Sequence, residues 1–282
     1  LGGKRRRWRK IRPHEIPEAE ILLKSRERLC MNACGRYINR KSLKSDVWVL
    51  HDEAGELSAL LVHARQALMP VRRGRDPLPA PHFLRGLLGP VPVHSLQGRK
   101  DDVLIMEVGM EKLGFPASEK IDFDLMCIDR QPSGFASSGP AGLVLRKPEP
   151  ADIDDLAVLQ AAYEKEEVLS RANPAVSRMH MERIFAEEQM LVAELGGRLI
   201  GKINTNAVTF TRYQVGGVYV HPDYRGLGIA RRMAGEFIAG LVAQGRGISL
   251  FVKKTNPAAR MVYQNIGFEI VDSYRINYYS KG

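Results

Sequence analysis

The chain has 282 residues, of which 44% are hydrophobic and 26% charged, and it carries a formal net charge of +10. This composition is ordinary for a globular protein and excludes disorder as the dominant state. No run approaches the roughly 18 apolar residues of a membrane-spanning helix, and three cysteines are too few for a disulfide framework.

The excess charge sits at the start. Residues 1–12 hold seven basic side chains and no acidic one, centred on Lys4-Arg5-Arg6-Arg7-Trp8-Arg9-Lys10, whereas 13–140 is balanced. Such a run reads first as a solvated tail, and second as a contact for nucleic acid or another acidic surface. No apolar h-region follows it, so no secretory leader is expected. Reduced thiols at Cys30, Cys34 and Cys127 fit a cytoplasmic protein. Cys30-x-x-x-Cys34 lacks matching partners and reads as helix packing, so no metal is expected.

Residues 13–130 read as an α+β domain. Trp48-Val-Leu50, a polar turn at 52–56 and an apolar run at 57–62 predict a hairpin. A strand at 91–96, a helix over 101–113, Gly114-Phe115 and a strand at 121–128 follow. Residues 131–142, Gln-Pro-Ser-Gly-Phe-Ala-Ser-Ser-Gly-Pro-Ala-Gly, then read as a linker.

The second domain, 143–282, begins with a short strand at 143–146. Asp152 can cap a helix whose apolar positions include Ile153, Leu156, Ala157 and Leu159. Residues 190–195 and 198–203 flank Gly196-Gly197, a hairpin signal. The strand 215–220 contains Gly216-Gly217, which predicts a bulge or a close backbone approach. A helix over 229–244 shows apolar stripes at i+4 spacing. A strand at 248–252, a short helix opened by Asn256-Pro257 and a strand at 268–279 complete the chain. The fold class is α/β of the α+β type, with a mixed, mostly antiparallel sheet flanked by helices.

The chemistry centres on Val218-Tyr219-Val220-His221-Pro222-Asp223-Tyr224-Arg225-Gly226-Leu227-Gly228-Ile229-Ala230. Two glycines between a strand and a helix let successive N–H groups converge. The positive end of the following helix favours an anion there, a diphosphate being the natural guest.

Arg225-x-x-Gly228-x-Ala230 resembles the acyl-CoA pyrophosphate loop of the GNAT acetyltransferases, Arg/Gln-x-x-Gly-x-Gly/Ala. Asn256-Pro-Ala-Ala-Arg-Met-Val-Tyr263-Gln-Asn-Ile-Gly267-Phe268 resembles that family's second signature. The resemblance covers about 143–279 and is strongest from 215 to 268. It implies an N-acetyltransferase that moves the acetyl group of acetyl-CoA to a primary amine of a small molecule or protein. The pantetheine arm would lie where strand 215–220 splays from strand 248–252. Backbone at Val218, Tyr219 and Val220 would bind that arm, the N–H groups of Arg225, Gly226, Leu227, Gly228, Ile229 and Ala230 would hold the diphosphate, and Asn256 would orient the pantetheine. Tyr263 would protonate the leaving thiolate. The base that receives the ammonium proton is not identified. Glu164, Glu166 and Glu167 cluster where the family's acceptor site lies, and Gln214 flanks the central strand, able to orient a substrate but not to act as a base. A non-catalytic acyl-CoA sensor is the alternative. The first half reads either as a worn copy of the second, with Met110 in the place of Tyr263 and an Arg- and Pro-rich stretch, 72–81, in the place of the phosphate loop, or as an unrelated α+β domain. The acceptor and the oligomeric state are not read from the sequence.

Overall fold

The computed structural model describes residues 8–40, 46–74, 81–88, 93–168 and 173–279. Residues 1–7 of the basic tail and 75–80 of the Arg- and Pro-rich stretch lie outside them. The chain divides into two compact units: 1–125 together with 271–282, and 126–270.

In the first unit, β1 (Arg9–Lys10), α1 (Ile16–Ser25), α2 (Met31–Ile38), β2 (Asp46–His51), β3 (Leu57–Ala64), β4 (Ala67–Arg72), α3 (Pro81–Leu88), β5 (Ser95–Arg99), α4 (Lys100–Lys112) and β6 (Glu119–Ile128) follow one another. β1 to β4 form an antiparallel meander, and β5 joins β4 in parallel. Apolar residues of α4 (Val103, Met106, Met110) pack with Leu61, Leu68 and Leu96. Met110 is thus a core side chain.

The parallel ladder between β4 and β5 covers only Ala67↔Ser95 and Leu68↔Leu96. Pro70, just past it, has no N–H to offer. A Cβ added at Gly98 would lie 3.4 Å from the Pro70 carbonyl oxygen and 3.7 Å from its ring, so Gly98 runs close against Pro70. Arg72 then turns to α4, where its Nε donates to Asp102 Oδ1 at 2.7 Å with both side chains buried.

The second unit holds β7 (Val144–Arg146), α5 (Ile153–Tyr163), a π-helical turn (Glu164–Val168), α6 (Pro174–Glu187), β8 (Met190–Leu195), β9 (Arg198–Val208), β10 (Arg212–Val220), α7 (Ile229–Val242), β11 (Gly247–Lys253) and α8 (Pro257–Asn265). β7 to β10 are successive antiparallel neighbours, and β11 joins β10 in parallel. The predicted stripes of α7, with Met233, Ala234, Phe237, Ile238 and Leu241, are buried in one core with Tyr213, Val215, Ile248, Leu250 and Val252.

β12 (Glu269–Tyr278), read from the sequence with the second domain, lies mainly in the first unit. It pairs antiparallel with β5 from Tyr274↔Arg99 to Tyr278↔Ser95. The buried Tyr274 hydroxyl accepts from Asn32 Nδ2 at 2.9 Å. Conversely, Met126 and Ile128 at the end of β6 belong to the core of the second unit. The stretch read as a linker also belongs there. Phe135 packs on that core, and a Cβ on Gly235 of α7 would overlap its ring.

Candidate functional site

The β10–β11 ladder runs from Arg212↔Gly247 to Gln214↔Ser249 and stops. Beyond that rung β10 slips against β9, with register shifts between Gln214 and Val215 and between Gly216 and Tyr219. The bulge is the one that the glycine pair predicts, and the splay is the one that the family resemblance implies. The reason is steric. Gly217 has φ +59°, and a Cβ on it would overlap the Asn204 carboxamide, while one on Gly216 would overlap that of Asn206.

β10 ends at Val220, and a short turn leads to the glycine loop. Gly226 (φ +80°) and Gly228 (φ +78°) are both left-handed, and Gly228 caps α7. A Cβ on Gly228 would come within 3.0 Å of the Gly139 nitrogen, so this position is constrained twice. The first bond into α7 is Arg232 N–H to Gly228 O at 3.0 Å, which leaves the preceding N–H groups of Ile229, Ala230 and Arg231 without an intrahelical acceptor. Leu227 is exposed beside them. The Arg225 N–H differs from the rest because it donates to Pro222 O at 3.1 Å.

The Arg225 side chain turns back. Its Nε donates to Val220 O at 3.0 Å and its Nη2 to Glu166 Oε2 at 2.7 Å, with the guanidinium over the Tyr219 ring. Tyr219 Oη donates to the other Glu166 oxygen at 3.0 Å. Partial burial pushes the Glu166 carboxyl up, but the hydrogen bonds from Arg225 and Tyr219 outweigh it and hold the group below its ordinary value. A carboxylate so engaged is a weak proton acceptor. Glu167 is likewise paired: Lys253 lies 3.2 Å from its Oε2 and donates to its backbone oxygen. Glu164 is buried and accepts from Ser177 Oγ at 2.5 Å and Gln160 Nε2 at 2.8 Å, beside His180 Nδ1 at 2.9 Å. Desolvation raises its affinity for a proton, and these bonds reverse the shift. Gln214 is buried on the last rung of the ladder.

Asn256 caps α8 through its Oδ1, which accepts from Ala259 N–H at 3.0 Å, and Pro257 follows at the first helical position. Tyr263 is buried on that helix, edge-on to Phe268 with ring centroids 5.6 Å apart. Burial, reinforced by Tyr163 and Glu167, pushes its phenol well above the ordinary tyrosine value. It therefore holds its proton throughout the neutral range.

One group here escaped the sequence reading. Lys202 of β9 is fully buried, and its Nζ donates to Gly217 O at 2.9 Å and Asn204 Oδ1 at 3.4 Å, 5.0 Å from the Tyr163 ring centroid. Desolvation lowers its pKa to about 7, against the opposing field of Glu164. Asn204 in turn donates to Asn206 Oδ1 at 2.9 Å, and Asn206 is exposed. The signal was present in the sequence as Lys202, Asn204 and Asn206, alternate residues on one face of a strand.

Among the described residues, no three His, Cys, Asp or Glu side chains are grouped so as to hold a metal ion, and no helix is long and apolar enough to cross a membrane.

The model of the Acetyltransferase (GNAT) family matches residues 155–268. An acetyltransferase of Sodalis glossinidius is 29% identical over 123 residues, covering 43% of this chain and 84% of that protein. One of Pectobacterium atrosepticum is 28% identical over 122 residues, covering 42% and 84%. A solved GCN5-related N-acetyltransferase from Sphaerobacter thermophilus has the same fold with a TM-score of 0.64 at 18% identity, over 97% of this chain and 95% of that one. A tandem GNAT protein from the clavulanic acid biosynthesis pathway matches with a TM-score of 0.58 at 13% identity, over 98% and 99%. The family match spans the interrupted β10–β11 ladder, the glycine loop at the head of α7 and the Asn256–Phe268 segment, so that over residues 155–268 this chain is similar to the GNAT acetyltransferases and shares their fold.

Proposed function

We propose that the second unit transfers the acetyl group of acetyl-CoA to a primary amine of a small molecule or a protein by direct attack. The observation that carries this is the end of the β10–β11 ladder at Gln214–Ser249, one strand's length before the paired glycines at the N-terminus of α7. The opening accommodates an extended amide-bearing arm, and the helix end accommodates its diphosphate. The diphosphate donors run from Gly226 to Ala230, the Arg225 N–H being spent in its own turn.

A neutral amine attacks the thioester carbon, and the carbonyl pair moves to oxygen. The intermediate collapses with cleavage of the carbon–sulfur bond, and the thiolate takes the phenolic proton of Tyr263. The proton from the attacking nitrogen restores the balance through solvent. Burial that disfavours tyrosinate disfavours a thiolate formed beside it for the same reason, which keeps the transfer feasible.

Isothermal titration with acetyl-CoA tests this reading. Binding of one molecule per chain is expected, and its loss in the Arg225→Glu/Gly228→Pro double variant. With a panel of amines, Tyr263→Phe should keep acetyl-CoA affinity and lower kcat by about 10²–10⁴-fold. Binding without turnover of any amine would leave the domain an acyl-CoA sensor, and no binding by the wild type would end both readings.

A further inference from the structure

Gly217 and Val218 are the two residues of β10 that the β9 register passes over, between Gly216↔Asn204 and Tyr219↔Lys202. They share one peptide group, the carbonyl from Gly217 and the N–H from Val218. Among the described residues no peptide is cis, so that carbonyl and that N–H point in opposite directions. The Gly217 oxygen is held by Lys202 Nζ at 2.9 Å. The Val218 N–H is therefore aimed away from Lys202.

This arrangement is costly to maintain. Lys202 is fully buried, and among the described residues no carboxylate lies within ion-pair reach of it. A methionine of similar shape would avoid the desolvation. The chain instead surrounds the amine with acceptors and an aromatic face: Gly217 O, Asn204 Oδ1 and Tyr163. It also places glycine at 216 and 217, where a Cβ would collide with the asparagines of the same polar stripe.

We propose that Lys202 is a positioning residue that fixes and polarises the Gly217–Val218 peptide, so that the Val218 N–H is offered to the thioester carbonyl oxygen. The assignment rests on the transfer reading above. As the amine nitrogen bonds to the carbonyl carbon, the π pair moves to oxygen, and this N–H donates to the growing negative charge. A lysinium on the far side of the peptide withdraws electron density through the carbonyl and strengthens that donor. A neutral amine does so less. The gain is larger for the oxyanion than for the ground-state carbonyl, so it falls on kcat rather than on affinity.

The pH dependence has a definite sign. The Lys202 amine titrates near 7, lowered by burial and held up by the Glu164 carboxylate. The other groups facing it are uncharged: the Tyr163 phenol ring on α5, the Asn204 amide on β9 and the Gly217 carbonyl on β10. Lysinium is the active form, so kcat falls as pH rises through about 7.

The experiment measures CoA release with acetyl-CoA and three probes, spermidine, a lysine-bearing peptide and a peptide with a free α-amine, from pH 5.5 to 9. Wild type is expected to show a descending limb of kcat near pH 7. Lys202→Met is expected to bind acetyl-CoA within about threefold of wild type, to lose about tenfold or more in kcat at pH 6.5, and to lack that limb. Glu164→Gln removes the charge that favours lysinium, so its limb should move to lower pH. This second variant keeps the test decisive if Lys202→Met does not fold. Wild-type turnover with the same limb retained in Lys202→Met, or a limb unmoved in Glu164→Gln, overturns the assignment and leaves the transfer reading intact. A wild type that binds no acetyl-CoA, or that releases no CoA with any probe, overturns both.

Discussion

At the residue scale, backbone geometry and side-chain burial decide what each group can do. Gly217 illustrates the first. Its left-handed φ is unfavourable for any residue with a Cβ, and that Cβ would also displace Asn204. Gly217→Ala is expected to lower stability by about 1–3 kcal/mol, read from the urea midpoint of the full chain. Wild-type stability in that variant would mean that the bulge relaxes freely. The glycines of this bulge and of the loop at 226–228 were legible in the sequence because glycine reports directly on dihedral need. The glutamates were not. Glu164, Glu166 and Glu167 look alike in sequence, yet one is buried among three hydrogen-bonding side chains, one is locked to Arg225 and Tyr219, and one pairs with Lys253. Charge alone cannot distinguish these fates, because the partners lie up to 86 residues away in the chain.

At the element scale, the hairpin about Gly196-Gly197, the amphipathic α7 and the Asn-Pro start of α8 follow from local rules, and the structure contains each. The strand openings needed tertiary information. β10 and β4 both run past the last rung with their parallel partners, but there β10 carries the paired glycines whereas β4 carries Pro70, which has no N–H, and Arg72, held in a buried ion pair. An element-scale electrostatic tie joins β1, the turn into α1, and β2. Glu15 accepts from Arg9 Nη1 at 2.6 Å and from the Arg12 N–H at 2.8 Å, with His51 3.3 Å away. The hydrogen bond from Arg9, opposed by burial and aided by the Arg12 N–H, holds its carboxyl at about 2. Because the folded value lies below the unfolded one, the contribution is complete above the ordinary glutamate range and lost as pH falls toward 2. Glu15→Gln is expected to destabilise the chain by about 1–3 kcal/mol at pH 7 and by distinctly less at pH 3. Equal differences in urea denaturation at the two pH values would refute the assignment.

At the scale of the whole molecule, the division into units does not follow the low-complexity stretch at 131–142. Met126, Ile128 and Phe135 pack in the second unit, while residues 271–278 complete the sheet of the first through β5. A fragment cut by composition, 143–282, discards three core side chains and carries an unpartnered strand. It should denature at lower urea than 126–270, compared by circular dichroism; an equal or higher midpoint for 143–282 would show that these residues contribute nothing to the unit. Taken alone, the sequence determined the class of the second domain and the positions of its glycine loop and of Asn256 and Tyr263. Those features are local: dihedral demands, caps and short-range periodicity act within a few residues. Tertiary structure alone decided which unit owns β12, which carboxylates are engaged, and that Lys202 stands buried behind the Gly217–Val218 peptide. Each of these depends on burial and on partners distant in the chain, and desolvation exists only once the chain has closed around the group.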